Sequence, residues 1–163
     1  MKKIILQQPE IKLIGITVRT NNKAEMDPAT AKIGSTVAHY FQNGLGSTIP
    51  HRQKQNITFS LFTDYESDHT GDYTYFIGEA VGFFENCPEG FVMHTVPAQT
   101  YIKFTTEPGK MPEVVIQAWQ QIWQMDEKTL GGKRAYRSDF EYYDERACDP
   151  KNTALDIFIG IIQ

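Results

Sequence analysis

Alternating apolar and polar positions predict six β-strands in this chain. Side chains of a strand point alternately to opposite faces, so a strand that is covered on one side shows a two-residue period. β-Branched and aromatic residues carry this pattern, and turn residues interrupt it. The predicted strands cover residues 10–20, 56–66, 73–84, 95–107, 138–145 and 153–163.

A first helix is predicted between the first two strands. Asp27 is the expected N-cap and Pro28 the first helical residue, and Gly44 is expected to end the helix. Helical spacing relates four apolar residues in between, which are Ile33, Val37, Tyr40 and Phe41.

A second helix is predicted over residues 111–125, with Pro112 at its start and Gly131-Gly132 at its end. Trp119 and Trp123 lie one helical turn apart. The better core stripe consists of Val115, Ala118, Trp119 and Ile122. We therefore expect Trp123, more than Trp119, to be reachable from outside the core.

The order of the predicted elements occurs twice. Strand, helix, strand and strand fill residues 5–84, and the same order fills residues 95–163. Each half opens with a proline-led strand and closes with a hairpin that contains Phe-Ile-Gly, at 76–78 and 158–160. The sequence thus predicts one domain over 1–163, with an α+β fold of two βαββ units. Antiparallel pairing should join 56–66 to 73–84 and 138–145 to 153–162.

Glu141 lies in the middle of an aromatic strand, DFEYYDE. Alternation places Asp139, Glu141 and Tyr143 on one face and Phe140 and Tyr142 on the other. Aligning Phe62 and Tyr65 with Phe140 and Tyr143 gives Thr63 as the match of Glu141 in the first half. A charge in only one half is typical of a site, although a strand carboxylate can equally face solvent.

Two βαββ units side by side leave a groove at their junction, a common place for ligands. The aromatic residues available to line it are Tyr65, Tyr75, Tyr101, Trp119, Trp123 and Tyr143. Aromatic faces and a carboxylate both attract a lipophilic cation. Each ring taken alone is equally compatible with a place in the core.

Composition and motifs narrow the function classes. The chain has 163 residues, 12% of them aromatic, and a net charge of −4, which argues against a nucleic-acid surface. No segment approaches the roughly 20 apolar residues of a membrane span, and there is no secretory signal. Cys87 and Cys148 are expected to be free thiols, and a cytoplasmic location follows. No metal-ligand spacing, phosphate loop or nucleophile elbow is present, so neither a metal nor a cofactor is expected.

The chain resembles the GyrI-like small-molecule-binding domains, the bacterial transcription-activator effector-binding family, some of which are stand-alone proteins of integron cassettes. The segments that carry the resemblance are LFTDYESDHTGDYTYFIGEAV (61–81), PAQTYIKF (97–104), AWQQIW (118–123), RAYRSDFEYYDE (134–145) and LDIFIGI (155–161). The resemblance implies duplicated βαββ units that form a curved antiparallel sheet with two helices and a central cleft.

The same resemblance implies that Glu141 meets lipophilic, cationic, often aromatic compounds. Regulators of this family attach the domain to a DNA-binding module, for which this chain has no room, and its charge does not suit DNA. Some relatives with the same carboxylate are hydrolases of cyclopropane-bearing toxins, with the glutamate as general base. Three interpretations follow: a sensor or sequestering protein, a hydrolase that uses Glu141, or a protein whose cleft accepts a peptide. Monomer and dimer both stay open.

Overall fold

Nine strands and four helices form the protein, in a computed structural model that describes residues 1–163. In chain order they are β1 (Lys2–Gln8), β2 (Ile11–Thr20), α1 (Asn22–Glu25), α2 (Ile33–Gln42), β3 (Thr58–Thr63), β4 (Tyr73–Ala80), β5 (Val92–Val96), β6 (Gln99–Thr105), α3 (Glu113–Trp123), α4 (Glu127–Leu130), β7 (Lys133–Arg134), β8 (Ser138–Tyr143) and β9 (Asp156–Ile162). The predicted α+β fold is confirmed. Two single-turn helices, α1 and α4, are added to the two long helices that the sequence predicted.

All strands pair antiparallel in one sheet of order β1-β6-β9-β8-β3-β4-β2-β5, with β7 beside the end of β9. Both predicted hairpins are confirmed, β3 with β4 and β8 with β9. When each strand of one half is replaced by the corresponding strand of the other half, the same order results, read from the opposite edge of the sheet. Each half gives its first strand to the other half, because β1 pairs with β6 and β5 pairs with β2.

Prolines account for two of the three strands that the sequence pattern missed, β1 and β5, and the third is the two-residue β7. Pro9 lies between β1 and β2, and Pro97 lies between β5 and β6. Proline has no N–H to donate to a ladder, so a strand interior does not run through it. The predicted strand 95–107 is therefore two strands, which pair with different neighbours.

No helix has the length and apolar character that crossing a membrane requires.

The first long helix begins later than predicted. Residues 27–30 form a turn in which the Asp27 side chain accepts from the Ala29 N–H at 2.9 Å, and α2 begins at Ile33. The Glu25 carboxylate caps this helix from outside, accepting from the backbone N–H groups of Lys32 at 2.8 Å and Ile33 at 2.9 Å. A carboxylate satisfies the free N–H groups at a helix start wherever it comes from, so the local Asp-Pro pair was a misleading signal.

The second long helix also ends earlier than predicted. Its last residue is Trp123, and the short helix α4 follows, capped by the Asp126 side chain on the Thr129 N–H at 2.7 Å. Gly131 ends α4, not α3, in a left-handed conformation with φ 94°. Glycine adopts this conformation without the steric cost that a Cβ would bring.

The strand registers correct the predicted match of Glu141. Phe76 pairs with Leu61, and Phe158 pairs with Phe140. If the two Phe-Ile-Gly segments are equivalent, Leu61 corresponds to Phe140 and Phe62 corresponds to Glu141. The alignment with Thr63 was one residue out, and a shift of one residue moves a side chain to the other face.

Both long helices lie on the same face of the sheet. Under α3, Trp119 and Ile122 pack on residues of β6 and β9, and under α2, Tyr40 packs on residues of β2 and β4. The opposite face buries a third cluster that takes Leu6 from one end of the sheet and Val96 from the other. The sheet thus curves around this cluster, and its central strands β3 and β8 pass between the two helices on the helix face.

Candidate functional site

A cleft lies between α2 and α3, with β3 and β8 as its floor. Ser60 and Glu141 face each other across these strands, and cross-strand partners share a face. Phe62, two residues beyond Ser60, points into the same space. This places Glu141 at the junction of the two halves, as the sequence predicted.

The cleft has two chambers that meet at Glu141. Four residues border both chambers: Ile33, Phe62, Val115 and Glu141. The first, named here the tryptophan chamber, has a volume of about 230 Å³ and is lined further by Tyr65, His69, Tyr73, Ile116, Trp119 and Trp123. The second, named the wide chamber, has a volume of about 640 Å³ and is lined further by Val37, Phe41, Tyr75, Ile77, Met111 and Tyr143.

Glu141 is 7% exposed and has one hydrogen-bond donor on each side. The Trp119 indole N–H reaches Oε1 at 3.5 Å, and the Tyr143 hydroxyl donates to Oε2 at 3.2 Å. Burial raises the pKa of Glu141 to about 7, and the two hydrogen bonds oppose that rise by favouring the charged form. Burial and the neighbouring Glu141 together hold the pKa of Tyr143 well above its usual range.

Arginine side chains pair with the other buried carboxylates of the protein, whereas Glu141 has no such partner. The three that pair with arginine are Glu79 with Arg52 at 3.2 Å, Asp139 with Arg134 at 2.6 Å and Asp156 with Arg146 at 2.9 Å. Glu141 has no cationic partner among its contacts. A buried charge is costly unless it is paired, and Glu141 is the buried carboxylate that has no such pair.

Asp139 lies on the same face as Glu141 but has a structural role. Its Oδ2 accepts from Arg134 and from the Tyr65 hydroxyl, each at 2.6 Å, and its Oδ1 accepts from the Gly160 N–H at 2.8 Å. These bonds satisfy the carboxylate and fix the Tyr65 ring in the wall of the tryptophan chamber. Glu25 also borders that chamber, but its oxygens cap α2.

The structure brings most of the predicted site residues together. Trp119, Trp123 and Tyr65 line the tryptophan chamber, and Tyr75 and Tyr143 line the wide chamber. Trp119 is 9% exposed and Trp123 is 53% exposed, the order that the helical stripe predicts. Trp123 therefore stands at the rim of the cleft and Trp119 in its wall.

Tyr101 does not belong to the cleft. It is fully buried on the opposite face of the sheet, with ring-centroid distances of 5.4 Å to Phe140 and 5.9 Å to Phe158. Its strand, β6, is separated from the floor of the cleft by β9. Tyr101 is therefore a core residue, the alternative that strand spacing had left open.

Phe62 is the most central of the aromatic cleft residues that the sequence pattern missed, which also include Tyr73 and Phe41. Its ring lies 5.3 Å from Trp119 and 5.5 Å from Tyr75, between centroids, and so joins the walls of both chambers. Phe41, which is 58% exposed, forms part of the rim of the wide chamber. The alternation along β3 and its register with β8 identify Phe62 as a cleft residue. A single sequence shows neither the register nor which strand is the neighbour.

Comparisons with known proteins agree with this architecture. YobU of Bacillus subtilis, described as a transcriptional regulator, is 26% identical over 147 residues, which are 90% of this chain and 89% of YobU. An integron cassette protein of Vibrio cholerae has 30% identity and a TM-score of 0.77, over 98% of this chain and 95% of that one. SAV2435 bound to tetraphenylphosphonium is 17% identical, with a TM-score of 0.78 over 99% of this chain and 94% of that one, and shares the fold.

The family model of the integron-associated effector-binding proteins, Cass2, matches residues 4–161, which is nearly the whole chain. Its match includes both halves of the sheet, both long helices and every residue of the cleft. The chain belongs to the Cass2 family of integron-associated effector-binding proteins.

Proposed function

We propose that this protein binds lipophilic, cationic, aromatic compounds in the cleft, as a sensor or a sequestering protein, and that Glu141 supplies the counter-charge. The observation that carries the proposal is the buried carboxylate without a cationic partner. The protein pairs its other buried carboxylates with arginine and leaves this one facing two chambers.

Aromatic walls strengthen the case for a cation. Phe62, Trp119 and Tyr143 surround the carboxylate, and Trp123 stands at the rim. Each ring face attracts a desolvated cation by about 0.5–2 kcal/mol. SAV2435, which has the same fold, is bound to tetraphenylphosphonium, a cation with four aromatic rings.

Titration with tetraphenylphosphonium tests the proposal, with tryptophan fluorescence as the readout. Trp119 and Trp123 both line the cleft, so binding should quench their emission. Triphenylphosphine oxide, a neutral aromatic compound, should bind far more weakly. Glu141→Gln should abolish most of the cation affinity, whereas Glu89→Gln, which removes the same charge from an exposed loop, should not. Equal affinity in Glu141→Gln and the wild type would refute the role of Glu141.

A hydrolase is the second candidate, and one observation favours it. Burial raises the pKa of Glu141 to about 7, the range in which a general base works best near neutral pH. The carboxylate would take a proton from water as the water attacks an electrophilic substrate. Mass spectrometry of a cyclopropane-bearing compound before and after incubation separates the two functions. An unchanged ligand supports the binding protein, and a hydrated product that Glu141→Gln does not form supports the enzyme.

A further inference from the structure

The position of Glu141 between two unlike chambers points to a particular shape of ligand. We infer that the cleft selects two-armed cations, in which a central positive charge links a flat aromatic arm to a bulkier aliphatic arm. This inference rests on the proposed function and specifies its ligand class. The aromatic arm would occupy the tryptophan chamber and the aliphatic arm the wide chamber.

The two oxygens of the carboxylate are divided between the chambers. Oε1 accepts from Trp119, which lines the tryptophan chamber, and Oε2 accepts from Tyr143, which lines the wide chamber. A cation beside Glu141 thus sits at the boundary, with apolar space on both sides. If a ligand has only one arm and its cation at the end, that arm can fill one chamber, and the other chamber is left without an apolar partner.

The chambers follow the strands of the floor in opposite directions from Glu141. Thr58 and Tyr143, at one end of the paired strands, border the wide chamber, and Tyr65 and Arg134 border the tryptophan chamber at the other end. Strand residues advance by about 3.3 Å each. A ligand that fills both chambers is therefore extended along the strands, with its charge near the middle.

The walls give each arm its chemistry. In the tryptophan chamber the centroids of Trp119 and Trp123 are 6.1 Å apart, and Phe62 meets Trp119 edge-on, so flat ring surfaces dominate a small volume. The wide chamber has nearly three times that volume. Its lining combines the aliphatic side chains of Val37, Ile77 and Met111 with the rings of Phe41, Tyr75 and Tyr143. Methionine adapts to irregular apolar shapes, so this chamber suits a flexible, bulkier arm.

Three ammonium probes separate the contributions of the arms. Benzyl(hexyl)dimethylammonium carries both arms, benzyltrimethylammonium only the aromatic one, and hexyltrimethylammonium only the aliphatic one. In the wild type, the two-armed probe should bind at least about tenfold more tightly than either single-armed probe, because each chamber then buries an apolar partner. Tryptophan fluorescence and calorimetry both report this binding.

Matched variants assign each arm to its chamber. Trp123→Ala removes an exposed ring from the tryptophan chamber and should weaken the two benzyl probes by roughly tenfold, leaving hexyltrimethylammonium unchanged. Phe41→Ala removes an exposed ring from the wide chamber and should weaken the two hexyl probes only. Gly34→Leu should do the same by filling that chamber, since a Cβ at Gly34 meets no atom within 4 Å.

The outcomes distinguish the inference from the function on which it rests. The inference is overturned if the two-armed probe binds no better than the single-armed probes, or if Trp123→Ala and Phe41→Ala weaken all three probes alike. The proposed function fails as well if no probe binds the wild type, or if Glu141→Gln binds all three as the wild type does. Circular dichroism and thermal unfolding should show that all variants are folded. Trp123 and Phe41 are exposed, a side chain at Gly34 is added in open space, and glutamine is nearly isosteric with the buried Glu141.

Discussion

Replacing Glu141 with glutamine perturbs the charge of the cleft and little else. The side chains are nearly isosteric, and the amide oxygen can still accept from the Trp119 indole N–H while the amide NH2 donates to the Tyr143 hydroxyl. Removing one partner of a desolvated charge pair costs about 2–4 kcal/mol of binding free energy. The dissociation constant of tetraphenylphosphonium should therefore rise roughly 30-fold to several hundred-fold.

The wild-type affinity should also depend on pH, in a direction that the structure determines. The pKa of Glu141 in the empty protein is about 7, so the carboxylate is mostly ionised at pH 8 and mostly protonated at pH 6. A cation binds the ionised form, and protonation competes with it. The affinity should fall by roughly tenfold from pH 8 to pH 6, the ratio of the ionised fractions at these two values.

Isothermal titration calorimetry at pH 6, 7 and 8 measures both effects. Repeating the titration at pH 7 in two buffers of different ionisation enthalpy counts the protons released, which should be about half a proton per ligand for a group with a pKa near 7. Glu141→Gln should bind weakly, independently of pH and without proton release. A wild-type affinity that is constant from pH 6 to 8, or a variant with the same pH profile as the wild type, would refute the assignment of the charge to Glu141.

Three further predictions concern stability. The folded-state pKa of Glu141 lies above its ordinary value of 4.5, so its contribution to the free energy of unfolding is fully present below about pH 4.5 and is lost as pH rises through about 7. In urea unfolding, the wild type should therefore lose about 3 kcal/mol over this window relative to Glu141→Gln, and parallel pH profiles of the two proteins would contradict this. Asp139→Asn leaves the largely buried guanidinium of Arg134 without its counter-ion and should lower the free energy of unfolding by about 3–5 kcal/mol in urea titrations at pH 7. A loss below about 1 kcal/mol would contradict the structural role. Gly78→Ala should prevent folding or lower the melting temperature sharply, because its Cβ would collide with a backbone carbonyl of the adjacent strand. In Gly160→Ala the Cβ would meet only the end of a flexible amide side chain, so the change in melting temperature should be mild. Equal shifts of the two melting temperatures would contradict this difference.

Alternation of apolar and polar residues was sufficient to predict the strands that their own half of the chain covers on one face. Hairpin β3–β4 and hairpin β8–β9 each contain long alternating segments, and both were predicted with the correct partners. β1 and β5 were missed because each pairs only with a strand of the other half. A strand whose partner is far away along the chain gives no local turn signal. The prolines beside these two strands indicate an interruption of the strand, and the same prolines can equally be read as the start of a strand.

The candidate site was predictable as far as side-chain direction depends on local spacing. Alternation along β8 oriented Glu141, and the helical stripe of α3 ordered Trp119 and Trp123 by exposure. Tyr101 and Phe62 depend instead on the order and register of the strands. Tyr101 was included, although it lies on the far face, and Phe62 was omitted, although it borders both chambers.

The asymmetry between Phe62 and Glu141 explains how one carboxylate can serve both chambers. These residues occupy matching positions if the two Phe-Ile-Gly segments are equivalent. They lie diagonally across the central strand pair, because Phe62 pairs with Asp139 and Glu141 pairs with Ser60. Diagonal neighbours in a sheet are about 7 Å apart, so a glutamate in both halves would bring two buried carboxylates together and force them to share a proton. With phenylalanine in the first half, a single charge remains, and the Phe62 ring packs between Tyr75 and Trp119. The repeated strand order thus supplies two similar walls, and the difference at one pair of positions gives the cleft its charge.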